Sequence, residues 1–317
     1  MRIFDNVTES STVSFDVPVF EGYDAETGDL RAISEAAQDM VGVYEAMHGY
    51  AMAELGVEQG TVTMEAAGEK GRNVFQRILD SLKKLWGKIR NFFQNVIAAF
   101  NAKVKSGKDF AKKYKDKVTG NLVAAEVYNY SGLSKNPIDG LFDKASKFVS
   151  SNQAKLDSDG NIYKDQLTEE FRGELVGSGR CSEEQFREKA IAYMRGGETK
   201  TELQLIASNV FKILENTEAV QEANKAKTEM DKSFKNIIDS IQADQKRYET
   251  SASKMNKEEQ ANEYRQANTA ITIAKNKQAL FTSTQSICTM YFNVWKSVWT
   301  EREKAYKSIV VKTLKSK

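Results

Sequence analysis

RNVFQRILDSLKKLWGKIRNFFQNVIAAF, residues 72–100, is the stretch that decides the fold class. Its apolar residues are Val74, Phe75, Ile78, Leu79, Leu82, Leu85, Trp86, Ile89, Phe92, Phe93, Val96, Ile97 and Phe100. They recur in steps of three and four, the spacing that lines one face of an α-helix, whereas a strand would alternate. Arg72, Arg77, Lys83, Lys84, Lys88 and Arg90 fall mostly off that stripe. The reading is a long amphipathic helix with a wide aromatic face and a cationic back. A basic run follows, Lys103, Lys105, Lys108, Lys112, Lys113, Lys115 and Lys117, with Phe110 and Tyr114 between.

Three uses of this helix remain open. It can bury its aromatic face in a core, lie in a membrane interface, where moment and cationic face suit an anionic bilayer, or set its positive charges against nucleic-acid phosphates and release counterions. Core packing and phosphate contact are compatible, because they use opposite faces.

Working outward, the overall charge of +2 hides a sharp boundary. Residues 1–65 hold 13 Asp or Glu against Arg2 and Arg31 alone, while residues 66–120 hold 14 Lys or Arg against Glu69, Asp80, Asp109 and Asp116. Asymmetry of this kind speaks about partners or processing rather than fold. The junction Thr61-Val62-Thr63-Met64-Glu65-Ala66-Ala67-Gly68 reads either as an accessible stretch that a protease could bind extended, cutting between Glu65 and Ala66, or as a linker between helices. A cut there would leave 44 basic and 31 acidic residues. Within the leader, Val13, Phe15, Val17 and Val19 alternate as a short extended segment. A helix is expected from Asp29, its N-cap, to about Leu55, with Gly56 as stop. Its acidic surface could cover a basic partner, including the segment that follows.

Only Pro18 and Pro137 interrupt the chain's helical options, so long helices are easy after Pro137. Asn136-Pro137 is expected to start a helix carrying Ile138, Leu141, Phe142, Ala145, Phe148 and Val149. Thr168-Glu169-Glu170-Phe171 reads as the cap of a short helix ending near Gly177, and Ser182 to Gln185 as a capping box for another that ends at Gly196-Gly197. The remainder reads as an αα-hairpin. Thr199 with Glu202 opens it, Leu203 to Ile241 mark the first face, and a break falls at Ser251 to Asn256. Asn256 and Glu259 cap the return helix, which carries Tyr264, Ile271, Phe281, Cys288, Tyr291, Trp295, Val298 and Ile309 in near-heptad steps. Each arm of roughly 50 residues would reach about 75 Å. Tyr291, Phe292, Trp295 and Trp299 exceed what one seam needs, so further burial is expected there.

The fold class is therefore mainly α. It comprises an acidic leader and possible propeptide over 1–65, a basic amphipathic helical segment over 66–120, a small group of short helices over 121–197, and a long C-terminal αα-hairpin over 198–317.

Catalytic chemistry finds little support. His48 is the single histidine, and Cys181 and Cys288 stand far apart without a CxxC partner, so neither a zinc centre nor a Ser-His-Asp system can be assembled from them. Both cysteines read as small packed groups in a reducing compartment. No GxxxxGK[ST] or GxGxxG loop occurs, and Gly177-Ser178-Gly179 reads as a turn. Asp157-Ser158-Asp159-Gly160-Asn161-Ile162 has the centre of a calcium loop, but Lys155 and Gln166 occupy its end ligand positions, so a polar turn is expected. Glu169 with Glu170 and Glu183 with Glu184 read as solvated first-turn charges. No 18-residue apolar run exists and the N-terminus lacks the regions of a secretory signal. The expectation is a chain that is not an enzyme and needs no cofactor or metal.

The leader with Tyr44-Glu45-Ala46-Met47, the junction Thr63-Met64-Glu65-Ala66-Ala67 and the basic block Phe75 to Phe100 together resemble virion-internal or prohead-core structural proteins of large tailed bacteriophages. It is a resemblance of layout. In those families a prohead protease cuts after glutamate when a small or apolar residue stands two positions earlier, and Thr63 stands where Ser, Ala, Ile or Leu is commoner. The resemblance implies a leader that aids head assembly and a cationic remainder that lies with packaged DNA or is ejected with it. It also implies a hairpin that multimerises or attaches to capsid, portal or other virion proteins, in the virion after assembly in the host cytoplasm. The candidate contacts to DNA or a membrane surface are Arg72, Arg77, Lys83, Lys84, Lys88, Arg90, Lys103, Lys105, Lys108, Lys112 and Lys113. Two other readings remain: a membrane-active protein whose leader masks the helix over 72–100, and a helical cytosolic scaffold or adaptor.

Overall fold

The apolar stripe of residues 72–100 builds a helix that does not stop where the stripe fades. In the computed structural model, which describes residues 64–156, 160–253 and 260–316, helix α1 runs unbroken from Met64 to Tyr114. Its buried side continues past Phe100 through Val104, Gly107 and Ala111, again in steps of three and four, so the lysine run as far as Lys113 lies on the same helix, and Lys115 and Lys117 follow in the turn after it. For residues 64–73, 156, 160–163, 251–253, 260–265, 267 and 268 only the backbone is described. The extended pattern at 12–20, the leader helix, His48, the Asp157 to Asp159 turn and the Asn256 and Glu259 caps lie outside the described residues.

Two further long helices complete a bundle with α1. After the strand β1, Ala125–Val127, come α2, Leu141–Ser151; α3, Gln153–Leu156; α4, Gly160–Leu175; and α5, Glu183–Arg195. Strand β2, Thr201–Leu203, is followed by α6, Ala207–Glu215, α7, Glu218–Ser253, and α8, Gln260–Lys315. With 56 residues, α8 spans about 84 Å. Helix α7 runs antiparallel to α1, since Phe75 packs on Tyr248 while Trp86 stacks on Phe234. Helix α8 runs parallel to α1: Phe93 meets Phe292, and Phe100 meets Trp295 and Trp299. The end of α7 and the start of α8 thus lie toward the start of α1, and the ends of α1 and α8 emerge together.

Helix α8 is the axis of the molecule. Ile287, Cys288, Tyr291, Phe292, Val294, Trp295, Val298 and Trp299 are all buried, and at 100° per residue these positions cover an arc of about 160°, wider than a single seam needs. One side meets α1 and α7; the other is covered by α2, α4 and α5, with Phe186 of α5 against Tyr291. The surplus aromatics foreseen on the return helix are therefore packed within the chain. A single core cluster from Phe75 to Val310 takes residues from all three segments after residue 66.

Four local expectations are corrected. Pro137 does not open a helix: Asn136 adopts the left-handed region (φ 47°) and closes a 3-10 turn by donating its N–H to the Leu133 carbonyl, and α2 begins only after Gly140 (φ 66°). Thr168 is not a cap but sits inside α4, its hydroxyl donating to the Lys164 carbonyl at 2.8 Å. Thr199 and Glu202 do not start a helix; Thr201 to Leu203 form β2, antiparallel to β1, with Glu202 opposite Glu126. Lastly, the first hairpin arm is broken at Asn216 (ψ 158°), which separates α6 from α7. The capping box at Ser182 is present, and the left-handed Gly196 closes α5.

Candidate polyanion interface

Helix α1 assigns its two faces to different tasks. Phe75, Ile78, Leu79, Leu82, Leu85, Ile89, Phe92, Phe93, Val96 and Phe100 are buried, chiefly against α7 and α8, with Phe93 also meeting Phe142 of α2. Arg77, Lys83, Lys84, Arg90, Lys105, Lys108, Lys112 and Lys113 are exposed, whereas Lys88 and Lys103 are half-buried at its flanks. Of Arg72 only the backbone is described. Between Asp80 and Asp109 the helix carries no carboxylate. The stripe divides into Lys83, Lys84, Lys88 and Arg90 and a second group from Lys103 to Lys113. Asn91, Gln94, Asn95, Asn101 and the exposed Ala98 and Ala102 separate the groups, a gap from Arg90 to Lys103 of about 20 Å. Exposed amides in such a gap can donate to phosphate oxygens without adding charge.

Not every predicted cation is available. The Arg90 guanidinium lies 2.9 Å from Asp231 of α7 and 5.2 Å above the Trp86 ring, whose indole N–H donates to the same carboxylate. Arg90 therefore fastens α1 to α7. Lys115 pairs with Glu215 of α6 at 3.2 Å. Lys83, Lys84, Lys105 and Lys108 are the exposed positions that best retain the role expected from the sequence.

Sequence reasoning missed the contribution of α8. Because α8 runs parallel to α1 and both end at the same pole, the exposed Lys304, Lys312 and Lys315 add positive charge at the height of the second group. The Val123 N–H, just beyond α1, donates to the Thr313 hydroxyl at 3.0 Å and ties the two ends together. The only sequence signal was the lysine-rich last turn of α8, which a helix dipole explains equally well.

Glu65 and Ala66 lie in the first turn of α1 and not in an extended linker. A protease taking the chain in extended form would have to unwind that turn, a modest demand at a helix N-terminus whose first N–H groups have no intrahelical partner.

A second polar cluster lies at the other side of α8. Arg195 of α5 donates to Glu301 at 2.8 and 3.1 Å and stacks on Tyr128 at 4.5 Å, while Tyr130 (φ 55°) donates its hydroxyl to Glu301 at 3.3 Å. Burial, reinforced by the charge of Glu301, pushes the Tyr130 hydroxyl up and keeps it a donor. A Cβ at Gly132 would run into the Tyr193 carbonyl, so this loop presses directly on α5. The cluster contains no nucleophile beside a base and acts as a latch between α5 and α8. Burial also raises the Cys288 thiol, which is packed as an apolar group.

Among the described residues no group of His, Cys, Asp and Glu is placed to hold a metal ion, and no helix is long and apolar enough to cross a membrane. No protein family, curated protein or solved structure matches the chain. The arrangement itself offers electrostatic binding of an extended anion along a rigid helix.

Proposed function

We propose that this chain is a non-enzymatic structural protein that lies against the phosphate backbone of DNA along the outer face of α1. The observation that carries the reading is the acid-free cationic surface from Lys83 to Lys108, presented by a helix whose other face is locked in the core. The layout resemblance places that role in a bacteriophage particle, inside the head or ejected with the DNA, with capsid, portal or other copies of the chain as protein partners. In this reading the acidic leader limits DNA contact until it is removed after Glu65.

Energetics weigh against the membrane alternative. Inserting α1 would carry the ten buried apolar side chains from Phe75 to Phe100 out of the core into lipid and leave a comparable set of large apolar side chains that pack on them, such as Tyr248, Phe234, Phe292, Trp295 and Trp299, facing water. At about 1.5–3 kcal/mol per large side chain the loss is roughly 15–30 kcal/mol, beyond the 5–15 kcal/mol that stabilises an ordinary domain.

The test is salt-dependent binding of a duplex oligonucleotide, by fluorescence anisotropy, for the full chain and for a chain starting at Ala66. Log affinity should fall with log salt at a slope of about −0.9 per phosphate neutralised. Lys83→Gln, Lys84→Gln, Lys105→Gln and Lys108→Gln together should reduce that slope by up to about 3.6 units, and the shortened chain should bind more tightly. A slope unchanged by the four substitutions, or capture by anionic vesicles without duplex binding, would overturn the reading. The mass of the protein from its native assembly reads the processing: an N-terminus at Ala66 supports it, an intact chain from Met1 removes it.

A further inference from the structure

The exposed cations of α1 stand in two groups at a fixed separation. Lys83 and Lys84 form the first, and Lys105 and Lys108 open the second. Lys105 follows Lys83 by 22 residues, which is about 33 Å along the axis and close to six turns, so the two groups point nearly the same way. Between them the exposed residues are amides, alanines and Gly87, apart from Arg90, which Asp231 neutralises at 2.9 Å. The core ties the helix down at both heights. Beside the first group Trp86 stacks on Phe234. Beside the second, the seam between α1 and α8 is closed by Phe100 against Trp295 and Trp299, and by Lys307, whose ammonium donates to Ser106 at 3.0 Å. The half-buried Lys103 and Lys296 belong to that seam, where burial and then the charge of Lys103 lower the Lys296 pKa from 10.5 to about 8, and neither is counted in the groups. A helix held in this way has little freedom to bend toward a ligand, so the separation is a property of the protein.

A separation of this size selects among polyanions. Along a line parallel to its axis, a B-form duplex presents the backbone of a given strand once per helical turn, every 34–36 Å or about 10 base pairs. A single strand has no fixed repeat and must be ordered before it meets both groups. We infer that α1 lies along double-stranded DNA, parallel to the duplex axis, with the two lysine pairs on phosphates of one strand a helical turn apart. The inference rests on the DNA reading of the stripe and adds the form of the nucleic acid, its direction and its least length. The complementary strand crosses between the two contacts, where the amides of the gap can donate to its phosphates.

The experiment measures binding of the full chain, as salt is varied, to duplexes of about 8 and about 16 base pairs, shorter and longer than one turn plus its contacts. Each duplex is closed at one end by an uncharged linker. The short duplex can occupy one group at a time, the long one both. Lys83→Gln with Lys84→Gln, its melting curve checked, should therefore lower the slope of log affinity against log salt by up to about 1.8 units on the long duplex and leave it nearly unaltered on the short one. Lys105→Gln with Lys108→Gln should give the same pattern. A single strand with as many phosphates as the long duplex should bind more weakly than that duplex. Equal losses of slope on the two lengths, or a single strand that binds as tightly as the long duplex, overturn the inference while leaving DNA binding by the stripe in place. No loss on either duplex when all four lysines are replaced removes the stripe reading, and this inference with it.

Discussion

Replacing Lys296 by methionine is expected to stabilise the protein at neutral pH, because the side chain keeps its stem and loses an unpaired charge. In the folded chain the ammonium titrates near 8 against an unfolded value of 10.5. That difference, at 1.36 kcal/mol per pKa unit, sets a cost to folding of about 3 kcal/mol at pH 7. The sign follows from proton binding. Between pH 8 and 10.5 the unfolded chain holds more protons than the folded one, so this group makes stability rise with pH through that window. The cost is fully present below pH 8 and falls to about 1.4 kcal/mol by pH 9.5.

Water at the edge of the seam will screen part of this, so a gain of about 1–3 kcal/mol is expected, or roughly 3–9 °C in melting temperature for a fold of this size. Urea denaturation of parent and variant at pH 7 and pH 9.5 measures it directly. A gain that shrinks by more than half at the higher pH identifies the removed ammonium as its cause, whereas extra apolar burial by methionine would persist. A variant less stable than its parent at pH 7, or a gain that does not change with pH, would refute the reasoning.

Other outcomes follow from the packing. A Cβ at Gly107 would meet the Leu214 backbone carbonyl, so Gly107→Ala should cost about 1–3 kcal/mol in urea denaturation despite alanine's better helix propensity. Gly87 lies in the same helix with nothing near its Cβ position, and Gly87→Ala should add about 0.5–1 kcal/mol by the same assay. Lys277 and Asp244 form a buried pair at 2.6 Å; Asp244→Ala leaves the ammonium without its carboxylate and should cost about 3–5 kcal/mol. Replacing both members of that pair by leucine should recover most of the loss, measured in the same denaturation series.

The long elements were legible because their apolar spacing is strong and their ends carry recognisable signals. The stripe from Phe75 to Phe100 is the buried face of α1, and Ser182 caps α5 as its sequence suggests. The continuation of α1 was obscured because its core residues shrink to Val104, Gly107 and Ala111, sizes set by the close approach of α6. The β1 and β2 pairing joins three residues near 126 to three near 202, a contact between distant segments that no local pattern encodes. Within the candidate interface, Lys83, Lys84, Lys105 and Lys108 could be read from charge and periodicity alone. Arg90 looked identical to them, since only the fold brings Asp231 beneath it. Lys296 was hidden for the same reason: between Trp295 and Ser297 it reads as a surface residue of an amphipathic helix until α1 is laid beside it.

The polar residues within α8 explain why this bundle holds one alignment. Long helices with steps of three and four can pack in several registers offset by a turn or more, and apolar contacts alone discriminate weakly among them. Here three polar contacts occur at different heights on α8: Lys277 to Asp244 and Ser240 of α7, Gln285 to Ser233 of α7, and Glu301 to Arg195 of α5. Slipping α8 by one turn would separate all three and leave buried polar groups without partners, at about 1–3 kcal/mol each and more for the charged pairs. Thr284 and Thr289 add polarity without that demand, because their hydroxyls donate to carbonyls of their own helix. Register fixed in this way holds Lys307 against Ser106 of α1 and brings the ends of α1 and α8 to one height. In the proposed reading, the cations of α1 would be offered to a phosphate backbone at constant spacing, with little ordering left to be done on binding.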